Sequence, residues 1–144
     1  MAPPRLHPDH PLETLNARAP GTLPGWYGFR ATGLEPGRLD AHMHIRPEML
    51  APNGYLHAAS VIALADTACG FATIGHLPIG ADAFTTIELK SNFFGTRTAG
   101  RLDCVATAVH CGRTTQVWDA EVLGEDGARI ALFRCTQMIL WPRS

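Results

Sequence analysis

The stretch from Asn53 to His76, NGYLHAASVIALADTACGFATIGH, decides the fold of this chain. Almost all of its residues are small or apolar, which predicts one long helix that begins near His57. A helix that is apolar on every side must be buried by the rest of the chain. Asp66 is the only carboxylate in the stretch, and an acid in such surroundings must be hydrogen-bonded, neutralised or used in chemistry.

The segments on either side of this helix alternate apolar and polar residues, which predicts β-strands. Two strands are expected before the helix and four after it, over residues 26–32, 38–46, 84–94, 101–111, 114–123 and 128–141. Four consecutive antiparallel strands in hairpin succession make a sheet with one apolar face, which the helix can cover. We therefore predict an α+β domain in which a long antiparallel sheet wraps around a central α-helix.

The length of 144 residues suits one domain with one core. We predict that residues 26–144 form this domain and that residues 1–25 form an N-terminal extension, with a short helix over Leu12–Ala19. The run Ala58–Gly75 is long enough to span a bilayer. It contains an aspartate, however, and its main apolar residue is alanine, so we expect a buried helix of a soluble protein rather than a membrane anchor.

The composition argues against several classes of partner and cofactor. The net charge is −1, so we expect no nucleic-acid surface and no membrane partner. His42 and His44 have no further ligands at metal-site spacing, and neither a metal nor another cofactor is predicted. The four cysteines form no CxxC pair, and a core of this size needs no disulfide, which predicts thiols in a reducing cytoplasm.

Asp66 is the first candidate for chemistry. In an apolar cleft its carboxylate is poorly solvated, and this raises both its pKa and its basicity. Such a carboxylate suits a nucleophile or a general base that activates water. The alternative is a structural acid that accepts hydrogen bonds from the backbone or from Thr67.

The head of the helix, at His57, Ala58 and Ala59, is the second candidate. Its first N–H groups lack intrahelical acceptors and carry the positive end of the helix dipole, so they suit the oxyanion of a tetrahedral acyl intermediate. Close packing against the strands is the alternative. Asp66 lies about 12 Å further along the helix axis than Ala58, so one helix cannot direct both groups at one carbonyl. Two antiparallel copies can, which predicts at least a dimer.

The residues GYLHAASVIALADTA, from Gly54 to Ala68, resemble the motif of hotdog-fold acyl-CoA thioesterases of the phenylacetate-degradation (PaaI-like) type. The resemblance extends over the chain from about Trp26 onward. It implies a helix surrounded by a long antiparallel sheet, dimers joined edge to edge, and often tetramers. It also implies that Asp66 is the catalytic carboxylate and that the Ala58 N–H is the oxyanion donor.

The sequence departs from the motif of this family at two places. Ala58 and Ala59 replace a glycine pair, which keeps the N–H groups but adds methyl groups beside the acyl pocket. The catalytic asparagine of the family would fall at Ala51. We expect Asn53 to substitute for it through a shift of the loop, with a simple turn residue as the alternative.

The same resemblance supplies supporting and substrate-binding candidates. Thr86 is similar in position to a residue that supports the carboxylate or the water, and an ordinary strand residue is the alternative. His57 is expected to orient the loop or polarise the thioester, unless it only caps the helix. The expected substrate-binding residues are Ala59, Thr67, Lys90, Ser91, Asn92, Phe93, Arg113 and Thr114. Arg97 and Arg134 are further candidates for phosphate contacts, unless they lie on solvated strand faces.

The expected function is hydrolysis of an acyl-CoA thioester, with an aryl or a short or medium acyl group, to a free acid and coenzyme A. The expected partners are this substrate and further copies of the chain, in a homodimer and a homotetramer. One alternative is a hotdog hydratase or dehydratase that pairs His57 with Asp66. The other is a non-catalytic acyl-CoA-binding module.

Overall fold

Six strands form one antiparallel sheet against a long helix in the computed structural model, which describes residues 3–143. The strands are β1 (Arg30–Glu35), β2 (Arg38–His44), β3 (Ala83–Phe93), β4 (Arg101–Cys111), β5 (Thr115–Gly124) and β6 (Arg129–Leu140). The helices are α1 (Leu12–Asn16), α2 (Leu23–Trp26) and α3 (Ala58–Gly75), with a 3₁₀ turn at Pro47–Met49. The strand order is β1-β2-β4-β5-β6-β3. The predicted α+β class and the sheet around a central helix are confirmed.

The core lies between α3 and the concave face of the sheet. Small residues on α3, such as Ala65 and Ala68, let the helix approach the strands closely, and larger side chains from the sheet fill the space around it. Leu39, Leu102 and Trp118 are fully buried there. By length and composition α3 is apolar enough to cross a membrane, but 61% of it is buried inside the protein. The apolar character of the helix is therefore explained by the core.

The pairing of β3 differs from the prediction. The four strands after α3 were expected in hairpin succession, but β3 pairs with β6 at the edge of the sheet and β4 pairs with β2. Residues 94–100 carry the chain from one strand to the other past the start of α3, where the Thr96 hydroxyl accepts a hydrogen bond from the Leu56 N–H. Alternation identifies strands, but it does not identify their partners, and this crossing has no local signal.

The predicted start of the first strand is also wrong. Residues 23–26 form α2, with Pro24 in its first turn, and β1 begins only at Arg30. Gly28 has a φ of +68°, which separates the two elements. The aromatic residues that suggested a strand instead make other contacts: the Arg46 guanidinium lies 4.7 Å from the centre of the Trp26 ring.

The N-terminal segment closes one edge of the sheet. The predicted helix in this segment is present but shorter, and its Leu15 is fully buried in the common core. The Asn16 side chain accepts from the Ala31 N–H and donates to the Ala31 carbonyl, so it occupies the free side of β1. The predicted boundary between residues 1–25 and 26–144 stays a prediction, and residues 1, 2 and 144 lie outside the described part.

A buried polar network closes the other end of α3. The His76 Nε2 accepts from the Gly37 N–H at 2.8 Å, so the hydrogen of the neutral ring is on Nδ1, which donates to the Ala72 carbonyl at 2.7 Å. The ring also packs against Trp118, and the His76 carbonyl accepts from the Gln116 side chain. Burial lowers the pKa of His76. The fold therefore requires this imidazole to be neutral.

We expect the free energy of unfolding to decrease as the pH falls below about 6.5, the value of an unfolded histidine. Below that pH the unfolded chain binds a proton that the folded chain resists, until the folded-state pKa is passed. Denaturant titrations at several pH values test this. His76→Gln should reduce the dependence on pH, whereas the control variant of the exposed His110, His110→Gln, should keep it. Equal dependence in His76→Gln and the wild-type protein would contradict the assignment.

Candidate active site

The head of α3 presents a hydrogen-bond donor without an acceptor. His57 caps the helix, and its Nδ1 accepts from the Ala59 N–H at 2.9 Å. The Ser60 N–H donates to the His57 carbonyl at 2.9 Å. The Ala58 N–H has no hydrogen bond within residues 3–143. It lies at the positive end of the helix dipole and is exposed, so it is available to an incoming oxyanion.

The same hydrogen bond determines which nitrogen of the neutral His57 ring carries the hydrogen. Because Nδ1 accepts a hydrogen bond, the hydrogen of the neutral imidazole is on Nε2. His57 is exposed, and this second donor faces the solvent beside Ala58. The loop that leads into the helix is held in turn by Ser60, whose hydroxyl donates to the Met49 carbonyl at 2.7 Å. The capping alternative for His57 is therefore observed, and it leaves the other ring nitrogen available for substrate.

Asn53 forms the turn before this loop end. Its Oδ1 accepts from the Tyr55 N–H at 3.1 Å, and the residue is exposed. This contact is the one expected of a simple turn residue. The proposed substitution of Asn53 for the asparagine of the family stays a prediction.

Asp66 lies in the middle of α3, and its carboxylate is not satisfied within one chain. Its Oδ1 is the only buried side-chain oxygen or nitrogen among residues 3–143 that has no hydrogen-bond partner. The structural alternative, an acid bonded to the backbone or to Thr67, is therefore not observed for this oxygen. Burial raises the pKa of Asp66. A desolvated carboxylate with an unused lone pair is a stronger base than a solvated one.

Asp66 and Ala58 lie on one continuous helix, so the separation expected from the sequence holds. Eight residues of α-helix place them about 12 Å apart along the axis. His57 is one residue further from Asp66, so these two residues do not form an acid–base pair within one chain. The two halves of the candidate site must come from two chains if they act on one atom.

Strand β3 runs beside this part of the helix. A Cβ on Gly70 would lie 3.2 Å from the ring of Phe84, near the start of β3. Asp66 is one helical turn before Gly70, and Thr86 is two residues after Phe84 along β3. Asp66 and Thr86 therefore lie at about the same level along the helix axis. The Thr86 hydroxyl donates to the Gln137 Oε1 at 2.7 Å.

Gln137 was not identified from the sequence as a candidate residue of the site. It is fully buried, between the apolar inward-facing residues of β6. The signal was present in the alternation of residues 128–141, because Gln137 has the same phase as the apolar Phe133 and Cys135. A polar residue at an inward position needs a partner, and this requirement would have identified it.

The expected substrate-binding residues of β3 do not share one face. Ser91 pairs with the buried Phe133, so Ser91 and Phe93 face the helix side, whereas Lys90 and Asn92 face outward. A bulge at Ile87 sets this phase. Lys90 and Asn92 line an outer groove of about 510 Å³ together with Asp119, Glu121, Leu132 and Arg134. This groove lies on the opposite face of the sheet from Asp66.

The arginine candidates have protein partners. Arg134 pairs with Asp119, Arg97 pairs with Asp126 at 2.9 Å, and the Arg113 guanidinium lies 4.3 Å from the centre of the Trp141 ring. Arg113 and Thr114 lie in the turn between β4 and β5, where the Thr114 carbonyl accepts from the Ile139 N–H of β6, the strand that pairs with β3. Lys90, towards the end of β3, forms no ion pair within residues 3–143.

The two remaining candidates lie on α3. Ala59 is exposed at the helix head, and Thr67 is half-buried beside Asp66.

The chain is similar to known thioesterases in both sequence and structure. The thioesterase superfamily profile matches residues 53–131. The chain is 29% identical to the 1,4-dihydroxy-2-naphthoyl-CoA hydrolase of Escherichia coli, over 90% of this chain and 94% of that protein. A mutant thioesterase PA1618 from Pseudomonas aeruginosa superposes with a TM-score of 0.87 at 28% identity, over 94% and 97% of the two chains. The E. coli PaaI protein of the phenylacetic acid degradation operon superposes with a TM-score of 0.77 at 25% identity, over 87% and 91%.

We expect Asp66→Asn to raise the melting temperature at pH 7. The desolvated carboxylate destabilises the fold above the pH at which it ionises, and the amide removes this cost. The difference should disappear below pH 3.8, where the acid is protonated in both states. Calorimetry at one protein concentration tests this. Asp103→Asn, which removes a half-exposed ion pair with Arg101, is the control and should not raise stability.

Proposed function

The chain belongs to the thioesterase superfamily and is a thioester hydrolase, and we propose that it hydrolyses an acyl-CoA to a free acid and coenzyme A. In this proposal Asp66 is the nucleophile or general base, and the oxyanion donor is the N–H of Ala58 of the partner subunit. The observation that carries the proposal is the pair of unused groups on α3: a buried carboxylate oxygen without a donor and a helix-head N–H without an acceptor.

A homodimer completes the site, because the free edge of β3 offers a place for a second copy. Asn16 bonds the outer side of β1 at Ala31, whereas β3 is an edge strand of 11 residues that has no neighbouring strand on its outer side within residues 3–143. Its apolar side chains are exposed at Ile87, Leu89 and Phe93. Antiparallel pairing of two β3 strands about a two-fold axis sets the two α3 helices side by side in opposite directions. Asp66 of each chain then faces the helix head of the other. Two such dimers form the proposed homotetramer.

The chemistry follows from these positions. Water attacks the thioester carbon while Asp66 takes its proton, or Asp66 attacks and water then opens the anhydride. The carbonyl oxygen becomes an oxyanion, which the N–H of Ala58 of the partner subunit stabilises. In the general-base route the carbon–sulfur bond then breaks, and the proton that Asp66 took from water passes to the leaving thiolate. In the nucleophilic route the thiolate leaves as the anhydride forms, and it takes up the proton that is released when water opens the anhydride and frees the Asp66 carboxylate. His57 adds a second donor at the helix head through its Nε2–H. The required groups are all side chains and backbone of the protein.

The substrate is expected to have an aryl or a short or medium acyl group. The helix-side residues Ser91 and Phe93 lie where the acyl part would enter, near a helix head narrowed by the methyl groups of Ala58 and Ala59. The relative from E. coli is named for an aromatic acyl-CoA, which supports an aryl group. Lys90 and Asn92 on the outer face, and the turn at Arg113 and Thr114 of a second copy, are the candidates for the coenzyme A part.

Cytoplasmic location is part of this proposal. Cys69, Cys104 and Cys135 are buried thiols, which suits a reducing compartment, and coenzyme A thioesters are intracellular metabolites.

Asp66→Asn should lower kcat for the best acyl-CoA by about 10³-fold or more and leave KM within a few fold, because the amide is no base and a poor nucleophile. Thiol release from a panel of aryl, short and medium acyl-CoAs measures this. Asp103→Asn is the control and should retain full activity. If Asp66→Asn binds acyl-CoA and keeps its activity, the mechanism is wrong. If the wild-type protein binds acyl-CoA but releases no thiol, it is a binding module, and loss of a double bond would indicate a hydratase.

A complementation experiment tests the sharing of the site between subunits. Ala58→Pro removes the N–H at a helix position that accepts proline, because His57 before it has an extended conformation. Alone, it should lower kcat by about 10²–10³-fold. After unfolding and refolding together, equal amounts of Ala58→Pro and Asp66→Asn form half mixed dimers, each with one intact site. About a quarter of the wild-type activity should return. No recovery in verified mixed dimers would show that both groups act within one chain.

A further inference from the structure

We propose that Gln137 is a positioning residue that holds the Thr86 hydroxyl with its lone pairs towards the cleft, where they accept a hydrogen from the water that attacks the thioester. This inference rests on the proposed function and adds a residue that neither the sequence motif nor the comparisons single out.

The hydrogen bonds around Gln137 fix the direction of the Thr86 hydroxyl. The Thr86 Oγ1 donates its only hydrogen to the Gln137 Oε1 at 2.7 Å. On its other side the Gln137 Nε2 donates to the Cys135 Sγ at 3.5 Å. Gln137 is fully buried, so water does not compete for these bonds. Thr86 is half-buried and therefore presents only lone pairs to the space on the other side of its oxygen.

The position of Thr86 makes this direction significant. It lies at about the level of Asp66, on the strand that runs beside α3, yet the buried carboxylate oxygen accepts no hydrogen bond from it. A free hydroxyl next to a desolvated carboxylate would donate to it, since a charge-assisted bond is the stronger one. Gln137 prevents this by taking the hydrogen. In this proposal the carboxylate and the hydroxyl oxygen, two acceptors at about the same level of α3 and β3, share one water molecule.

Two neighbouring acceptors are what an attacking water needs. A water molecule that donates one hydrogen to Asp66 and the other to Thr86 directs its lone pair away from both, towards the substrate carbon. The proton that moves on attack goes to Asp66, and the second hydrogen stays on the oxygen that becomes part of the acid product. If Thr86 donated to Asp66 instead, the carboxylate would lose basicity and the water would lose one of its two supports.

Few titratable groups surround Asp66 within one chain. Desolvation is the single cause that raises its pKa. One titratable group that interacts with it is the Cys69 thiol on the same helix, which also interacts with Cys135 on β6 and with Cys104 on β4, and burial raises the pKa of Cys69 well above its usual range. Within one chain the Thr86 hydroxyl is the hydrogen-bonding group that this proposal places against the Asp66 carboxylate.

Gln137→Met, which keeps the volume but removes the acceptor, tests the proposal. We expect kcat to fall about 10-fold with KM within twofold of the wild-type value. Thr86→Val should lose a similar amount, and the double variant should lose no more than either single one, because both remove the same support. Thr86→Ser should retain most of the activity. Thr85→Val, on the outward face of β3, is the matched control and should be fully active.

The pH dependence separates positioning from a structural role. In Gln137→Met the freed hydroxyl donates to Asp66, so the acid limb of kcat/KM and the Asp66 titration observed by ¹³C NMR should both move to lower pH. Neither should move to lower pH in the double variant, which has no hydroxyl. Full kcat and an unmoved titration in Gln137→Met, beside an inactive Asp66→Asn, would overturn the role of Gln137 alone. A wild-type protein that hydrolyses no acyl-CoA would overturn the proposed function and the role of the water together.

Discussion

The packing of α3 against the concave face of the sheet is the constraint on which the rest of the structure depends. The helix has small or apolar residues on nearly all sides, so burial favours the helix without specifying how it rotates about its axis. Polar contacts at its two ends supply that information. Ser60 bonds the 3₁₀ turn near its start, and His76 bonds the β1–β2 turn at its end. With the helix held at both ends, Gly70 meets Phe84 of β3, and Asp66 lies one turn earlier on the same side of the helix.

This arrangement has an energetic cost, because one carboxylate oxygen of Asp66 has no hydrogen-bond partner within residues 3–143. Stability therefore does not require a carboxylate at this position, whereas the proposed chemistry does. The two buried glutamines of the adjacent strands do not have this cost. Gln137 and Gln116 are buried polar residues in which the amide oxygen and the amide nitrogen each have a hydrogen-bond partner, so they hold groups in place at little cost.

The sequence predicts the parts of this fold that depend on local pattern. The long helix, the alternation of the later strands and the functional motif around Asp66 are all visible because each occupies consecutive residues. The partner of β3 and the outward direction of Lys90 and Asn92 were not predictable in this way. The first depends on a chain crossing, and the second on a one-residue bulge at Ile87 that reverses the phase of the strand. The role of Gln137 depends on a contact between residues 51 positions apart.

Asn16 covers part of the β1 edge, and this affects where a further strand can be added to the sheet. An exposed sheet edge is a template on which a strand of another chain can pair. Here the side chain of Asn16 imitates a neighbouring strand at Ala31 and terminates the lattice of backbone bonds on that side. The short N-terminal helix therefore makes this part of the β1 edge a poor template for strand addition.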